Sequence, residues 1–248
     1  MTPILVGYGV PLKYAIAASM VTIIATSSGS AASYVRQNIA NMKAAFYLEV
    51  FTVIGAIVGS SVTALIAPRF LYFFFAAFLI LSLLGLSGRL GEEFPKNVKP
   101  GKVARYLELK GSYFDQAASR TIDYEVEKAR YAGPGMLVAG LAAGMLGIGA
   151  GAFKVSVQEV IMKMPSKVSS ATSNFIIGVT ALAGASVYFT SHLLFVSLAA
   201  PMAIGTTIGA LIGGRVLNRI PNRIIRYLFL VVVVLLIIQM IYKGVTVQ

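Results

Sequence analysis

Apolar residues along this chain run in long blocks separated by short charged clusters, which is neither the helical nor the strand period of a soluble domain. Residues 168–214 hold 47 positions without one Asp, Glu, Lys or Arg. That is too long for one membrane-crossing helix and fits two, with a turn at Thr190, Ser191 and His192. Residues 14–34, 44–67, 70–87 and 227–242 are further candidate spans. Gly, Ala and Ser are scattered through them, which favours packed helices over barrel strands. Residues 133–164 differ: an apolar helix to Leu146, a glycine cluster at Gly147–Gly151, and a shorter helix carrying Lys154, Gln158 and Glu159. Two half-length apolar pieces around glycines predict a broken helix or hairpin dipping into the membrane. Residues 89–131 form the one hydrophilic segment, read as an aqueous linker partly structured around Leu107 to Phe114.

The chain repeats itself. Residues 11–34 align with 165–188 at an offset of 154, with eight of 24 positions identical, among them Pro11/Pro165, Ser19/Ser173, Ile23/Ile177 and Thr26/Thr180. Downstream, Gly55-x-x-x-Gly59 is paired with Gly205-x-x-x-Gly209 at an offset of 150. Of the 21 Lys and Arg residues, 17 fall on one side of the predicted spans, which the positive-inside rule makes cytoplasmic. The matched helices then run in opposite senses. The expected fold is all-α: a polytopic membrane protein of two inverted repeats, each a glycine-broken hairpin plus three transmembrane helices. Its divisions are a first repeat at 1–88, a cytoplasmic linker at 89–132 and a second repeat at 133–248. The same offset maps Gly147–Gly151 to positions upstream of Met1, so the first repeat is expected to lack its own glycine hairpin.

Composition supports a membrane class. Of 248 residues, 57% are hydrophobic and 12% charged, too few charges to cover a water-soluble surface. The net charge of +12 comes from residues flanking the apolar blocks, with no basic groove of interleaved aromatics, so no nucleic-acid partner is expected. There is no cysteine and His192 is the only histidine, which leaves no thiolate site, triad or histidine cluster. No ATP-binding motif occurs and no cofactor is expected. Gly147–Ala152 loosely matches a dinucleotide fingerprint, but an apolar helix precedes it where a strand is needed. Residues 1–10 lack the features of a cleavable signal peptide.

The segments LGIGAGAFKV (146–155), MPSKVSSATSN (164–174) and GVPLKYAIAASM (9–20), with a G-x-x-x-G helix in each half, resemble the sulfite exporter TauE/SafE family of membrane permeases. The family's usual glycine triplet reads Gly149-Ala150-Gly151 here. The resemblance implies a secondary transporter in the plasma membrane that exports sulfite or an organosulfonate, and not an enzyme. The alternatives are an anion channel, or a transporter of another small solute. Expected partners are a small anion and membrane lipid, with a homo-oligomer possible.

An anion leaving water needs oriented donors, and a helix start broken at glycine provides N–H groups at the positive end of its dipole. Gly149, Gly151 and Ala152 open the second half-helix, Lys154 adds charge one turn in, and Gln158 follows. Thr172, Ser173 and Asn174, with Ser19 and Thr22 in the first half, offer hydroxyl and amide donors that suit sulfite or sulfonate oxygens. Each also has a plainer reading: Lys154 snorkelling or pairing with Glu159, the hydroxyls bonding between helices, and Glu49 pairing with Lys43 or Arg36 rather than carrying protons.

Overall fold

The computed structural model describes residues 1–87, 98–115, 119–217 and 222–246. Among these, the chain opens with α1 (Thr2–Gly7), α2 (Leu12–Arg36), α3 (Met42–Leu65) and α4 (Pro68–Ser87). A linker holds α5 (Lys102–Tyr106) and the strands β1 (Gly111–Asp115) and β2 (Arg120–Tyr124). The rest is α6 (Ala129–Leu146), α7 (Gly151–Ser156) running into a π-helical turn at Val157–Ile161, α8 (Ser166–Thr190), α9 (Val196–Leu217) and α10 (Asn222–Thr246). Three described helices, α2, α3 and α8, are long and apolar enough to cross a membrane, and α4, α9 and α10 contain shorter apolar stretches. At 25 residues, α2 and α8 reach about 37 Å, longer than the roughly 30 Å hydrocarbon core.

The repeat is visible in the element starts. Helices begin at 12 and 166, at 42 and 196, and at 68 and 222, always 154 apart. Pro11 and Pro165 precede α2 and α8 with the same backbone angles, φ −57° and ψ 141°. Proline suits that position because its φ is already fixed there and its missing N–H leaves no bond unmade. The constant spacing moves one earlier pairing by a turn. At 154, Gly55 and Gly59 match Gly209 and Gly213, and Thr52 and Ala56 match Thr206 and Ala210. An offset of 150 catches the same G-x-x-x-G spacing one turn early because α9 carries glycine at 205, 209 and 213.

Small residues decide how closely the helices approach. A methyl group added to Gly55 or Gly140 would lie 2.2 Å from the Leu137 or Thr52 carbonyl oxygen, and one on Gly59 or Gly144 would lie 2.3 Å from that of Leu141 or Ala56. So α3 and α6 touch backbone to backbone, which needs glycine at all four places. The matching face of α9 is open: a methyl on Gly205 or Gly209 would meet nothing within 4 Å. Elsewhere α8 packs on α2 and α3, α9 on α2, and α4 on α10.

The fold is nearly all-α as expected, with one exception in the linker. Its described part folds back as an antiparallel hairpin, with Tyr113 opposite Ile122 and Phe114 opposite Thr121. The alternation drives this, for Tyr113 is buried while Phe114 is exposed. Ala104, Leu109, Tyr113 and Val126 join one apolar cluster with Ala44, Leu48, Met136 and Met164 of the bundle. Polar contacts secure the same junction. The Asn41 side chain accepts from the Ala44 N–H as the cap of α3 and donates to the Tyr124 hydroxyl at 3.0 Å. Lys43 pairs with Glu108 at 2.6 Å and Lys163 with Glu127 at 2.8 Å. The Lys43 and Lys163 contacts hold the Glu108 and Glu127 carboxyls below the ordinary carboxylate range, and burial pushes the Tyr124 phenol up to about 12. Of the basic residues that assign the sides, Arg89, Lys96 and Arg219 lie outside the described residues.

Candidate functional site

The glycine cluster breaks the helix as the sequence predicts. Helix α6 ends at Gly147 with φ +63°, Gly149 follows at φ +71°, and α7 begins after Ala150 at φ +49°. Glycine adopts such angles freely, whereas Ala150 carries a strain of about 1–2 kcal/mol. Ala150 is the middle position of the glycine triplet. The break is packed from both halves. A methyl on Gly149 would sit 3.1 Å from Ile177 and 3.8 Å from Ile23, the repeat-matched isoleucines of α8 and α2. Gly151 also lies against Ile177, while Ala152 is exposed.

On the first-repeat side of this break lies a cavity of about 560 Å³. Ser19, Thr22 and Thr26 of α2, Gly147 and Ile148 of the break, and Gly205, Thr206 and Gly209 of α9 line it, with Met1 at its edge. Four hydroxyls therefore converge, but their hydrogens are committed. Ser19 donates to the Ala15 carbonyl at 2.7 Å, Thr22 to that of Ser19 at 2.7 Å, Thr26 to that of Thr22 at 2.9 Å and Thr206 to that of Met202 at 2.8 Å. Such i−3 and i−4 bonds leave the oxygen lone pairs for other partners, and Ser19 uses one to accept from Thr2 at 3.0 Å. An anion bound here would require these hydroxyls to rotate and give up carbonyl bonds.

A second group is fully enclosed. Lys154 of α7 has no exposed surface, and its Nζ donates to the Thr180 hydroxyl of α8 at 2.9 Å. The same hydroxyl lies 3.2 Å from Glu49 Oε1 of α3, so the ammonium and the carboxylate meet through Thr180. Lys154 thus does not snorkel to an interface, and the Lys43 ammonium, expected near Glu49, turns to Glu108. A lysine enclosed in apolar surroundings needs a counter-charge, and Glu49 supplies it. One turn further on, Gln158 donates to Ser173 at 2.8 Å, both buried.

The remaining expected residues lie elsewhere. Thr172 accepts from the backbone N–H of Asn41 at 3.0 Å and so ties α8 to the start of α3. Asn174 donates to the Ser170 carbonyl and lines a separate, mostly apolar groove with Ser27, Arg36 and Gly178. The structure therefore gathers Ser19 and Thr22 at the cavity beside the break, sets Lys154 and Gln158–Ser173 in the enclosed layer behind it, and separates Thr172 and Asn174. Thr180 and Thr52 were not among the expected site residues. The signal for Thr180 is its identity with Thr26 across the repeat, and Thr52 carries the same signal through Thr206 once the offset is 154; its hydroxyl lies 3.3 Å from Glu49 Oε1. Among the described residues no group of His, Cys, Asp and Glu could hold a metal ion.

Comparisons with curated proteins and with solved structures return no match. The model of the sulfite exporter TauE/SafE family matches residues 1–240, which covers the break, the cavity, the enclosed pair and both sets of repeated helices. This chain is a member of the sulfite exporter TauE/SafE family, a family of membrane transporters.

Proposed function

We propose that this protein is a secondary transporter that exports sulfite or an organosulfonate across the plasma membrane, with its linker and the Arg215–Arg226 turn cytoplasmic. The observation that carries the reading is the glycine break held between Ile23 and Ile177, beside a cavity with hydroxyls from α2 and α9. Broken helices at the meeting of inverted repeats are where secondary transporters bind substrate. The constant 154-residue spacing of helix starts supports such repeats, and the distribution of 17 basic residues to one side supports their opposite sense.

The chemistry suits a weakly held oxyanion. Hydroxyls can exchange a carbonyl acceptor for a substrate oxygen at little net cost, since each bond contributes only about 1 kcal/mol. Among the described residues that line the cavity, none has a charged side chain to trap the anion. Purified protein in vesicles loaded with sulfite, sulfoacetate, thiosulfate or sulfate should release one or more of the sulfur oxyanions faster than empty vesicles do. Release of none of them, by protein shown to be folded, would remove the anion reading.

A further inference from the structure

Glu49 and Lys154 are enclosed among apolar helices with only 7% and 0% of their surfaces exposed. The carboxylate is poorly served. The Thr180 hydroxyl has one hydrogen and two acceptors in reach, the Ile176 carbonyl at 2.6 Å and Glu49 Oε1 at 3.2 Å. Thr52 is in the same position, 3.0 Å from the Glu49 carbonyl and 3.3 Å from Oε1. In each case the carbonyl is the nearer acceptor. Glu49 Oε2 has no hydrogen-bond partner at all. A buried carboxylate normally draws several donors, because leaving it bare is costly. The charged group each member faces is the other. On the packed neighbours, the ionisable groups sit near helix ends: Arg130 and Tyr131 of α6, Lys167 and Tyr188 of α8, Arg69 and Tyr72 of α4. Glu159 lies on the π-helical turn.

The arrangement is not repeated. At the 154-residue offset Thr180 matches Thr26, which lines the cavity, but Glu49 matches Ala203. The hydroxyl-lined cavity thus draws on α2, α9 and the break, while the ion pair draws on α3, α7 and α8. Charge paired through a single hydroxyl is well placed to change partners.

Resting on the anion-transport reading above, we propose that Glu49, Thr180 and Lys154 form the proton-binding site that couples anion movement to a proton. In the resting state of this cycle the pair is neutral, Glu49 carboxylate against Lys154 ammonium. A proton from one aqueous side binds Glu49 at Oε2 and converts it to the carboxylic acid. The buried group then carries one net positive charge, that of Lys154, and the anion at the break balances it. On the far side the anion leaves, the proton leaves Glu49, and the carboxylate again neutralises Lys154. One proton crosses with each anion, so a monovalent anion crosses without net charge and a divalent one carries one net negative charge with it, and no other reactant is consumed.

The test uses the intact chain in vesicles with thiosulfate or sulfate, anions that stay ionised near neutral pH. A pH-sensitive dye trapped inside reads proton movement. With the membrane potential clamped at zero, a one-unit gradient of pH should drive up to about tenfold accumulation of an anion that moves with one proton, and anion flux should carry protons with it. Anion flux with no accompanying protons and no response to the gradient would overturn the coupling while leaving the transporter reading intact. No anion flux under any gradient would instead overturn the transporter reading. Assignment to Glu49 is read by infrared difference spectroscopy, which needs only folded protein. Adding anion should produce a protonated-carboxyl band in the wild type that is absent in Glu49→Gln and retained in Glu159→Gln. The band persisting in Glu49→Gln would overturn the assignment, as would its absence from the wild type.

Discussion

Replacing Gly140 by alanine tests the packing on which the break depends. The new methyl would lie 2.2 Å from the Thr52 carbonyl oxygen and 2.8 Å from its carbon, both backbone atoms that no rotamer change can move. Ordinary contact begins near 3.4 Å, so α3 and α6 must separate by about 1 Å along this seam. Overpacking of that kind costs about 1–3 kcal/mol, and the separation would also disturb Glu49, which lies three residues before Thr52. The matched control is Gly209→Ala on α9, where a methyl meets nothing within 4 Å. There alanine should be neutral or stabilising by up to about 1 kcal/mol, because glycine is the poorer helix former. Thermal unfolding in detergent, followed by size-exclusion of the residual folded fraction, should show the midpoint falling for Gly140→Ala and holding or rising for Gly209→Ala. Equal midpoints for the two variants, or a larger loss for Gly209→Ala, would refute the close-packed seam.

Three further outcomes follow from the same geometry. Because the chain has no native cysteine, single cysteines at Ser112 and Asn222 report topology directly; both should resist impermeant thiol reagents in intact cells, and labelling of either would reverse the assigned orientation. Lys154→Gln should raise the apparent KM several-fold and lower the thermal midpoint by leaving Glu49 without its counter-charge, while the double variant with Glu49→Gln should be more stable than the lysine variant alone; an unchanged KM would remove Lys154 from the site. The Glu108 and Glu127 carboxyls are held down by Lys43 and Lys163 in the folded state, so their contribution to linker docking is present above the ordinary carboxylate range and lost as pH falls through their lowered values. Hydrogen exchange across residues 98–128 should therefore quicken at acid pH, and exchange independent of pH after correction for the intrinsic rate would contradict it.

Much of the fold was legible because a bilayer constrains sequence severely. Long apolar blocks bounded by charge mark α2, α3, α4, α8, α9 and α10, and the glycine cluster marks the break at Gly147–Ala150, where three positive φ angles now explain it. The exact register of the repeat was not legible from G-x-x-x-G alone, since three glycines at four-residue spacing in α9 fit equally well one turn apart. The linker hairpin was missed because its strands are only five residues each and their apolar partners lie on the bundle. At the site, residue type revealed where hydroxyls lie but not where their hydrogens point, which the nearest backbone carbonyl decides. The partnership of Lys154 with Glu49 was hidden for another reason. The two are far apart in the sequence, and only the stacking of α3 and α7 against α8 brings both to Thr180.

The claim that this protein is an anion carrier built around the glycine break is tested most directly by counterflow. Vesicles preloaded with unlabelled sulfite are diluted into a trace of labelled sulfite. A carrier that alternates its site between the two sides should accumulate label transiently above the outside concentration, at a rate that saturates with substrate. Label that only equilibrates, with flux rising linearly in concentration, would show a pore in place of an alternating site and contradict the account.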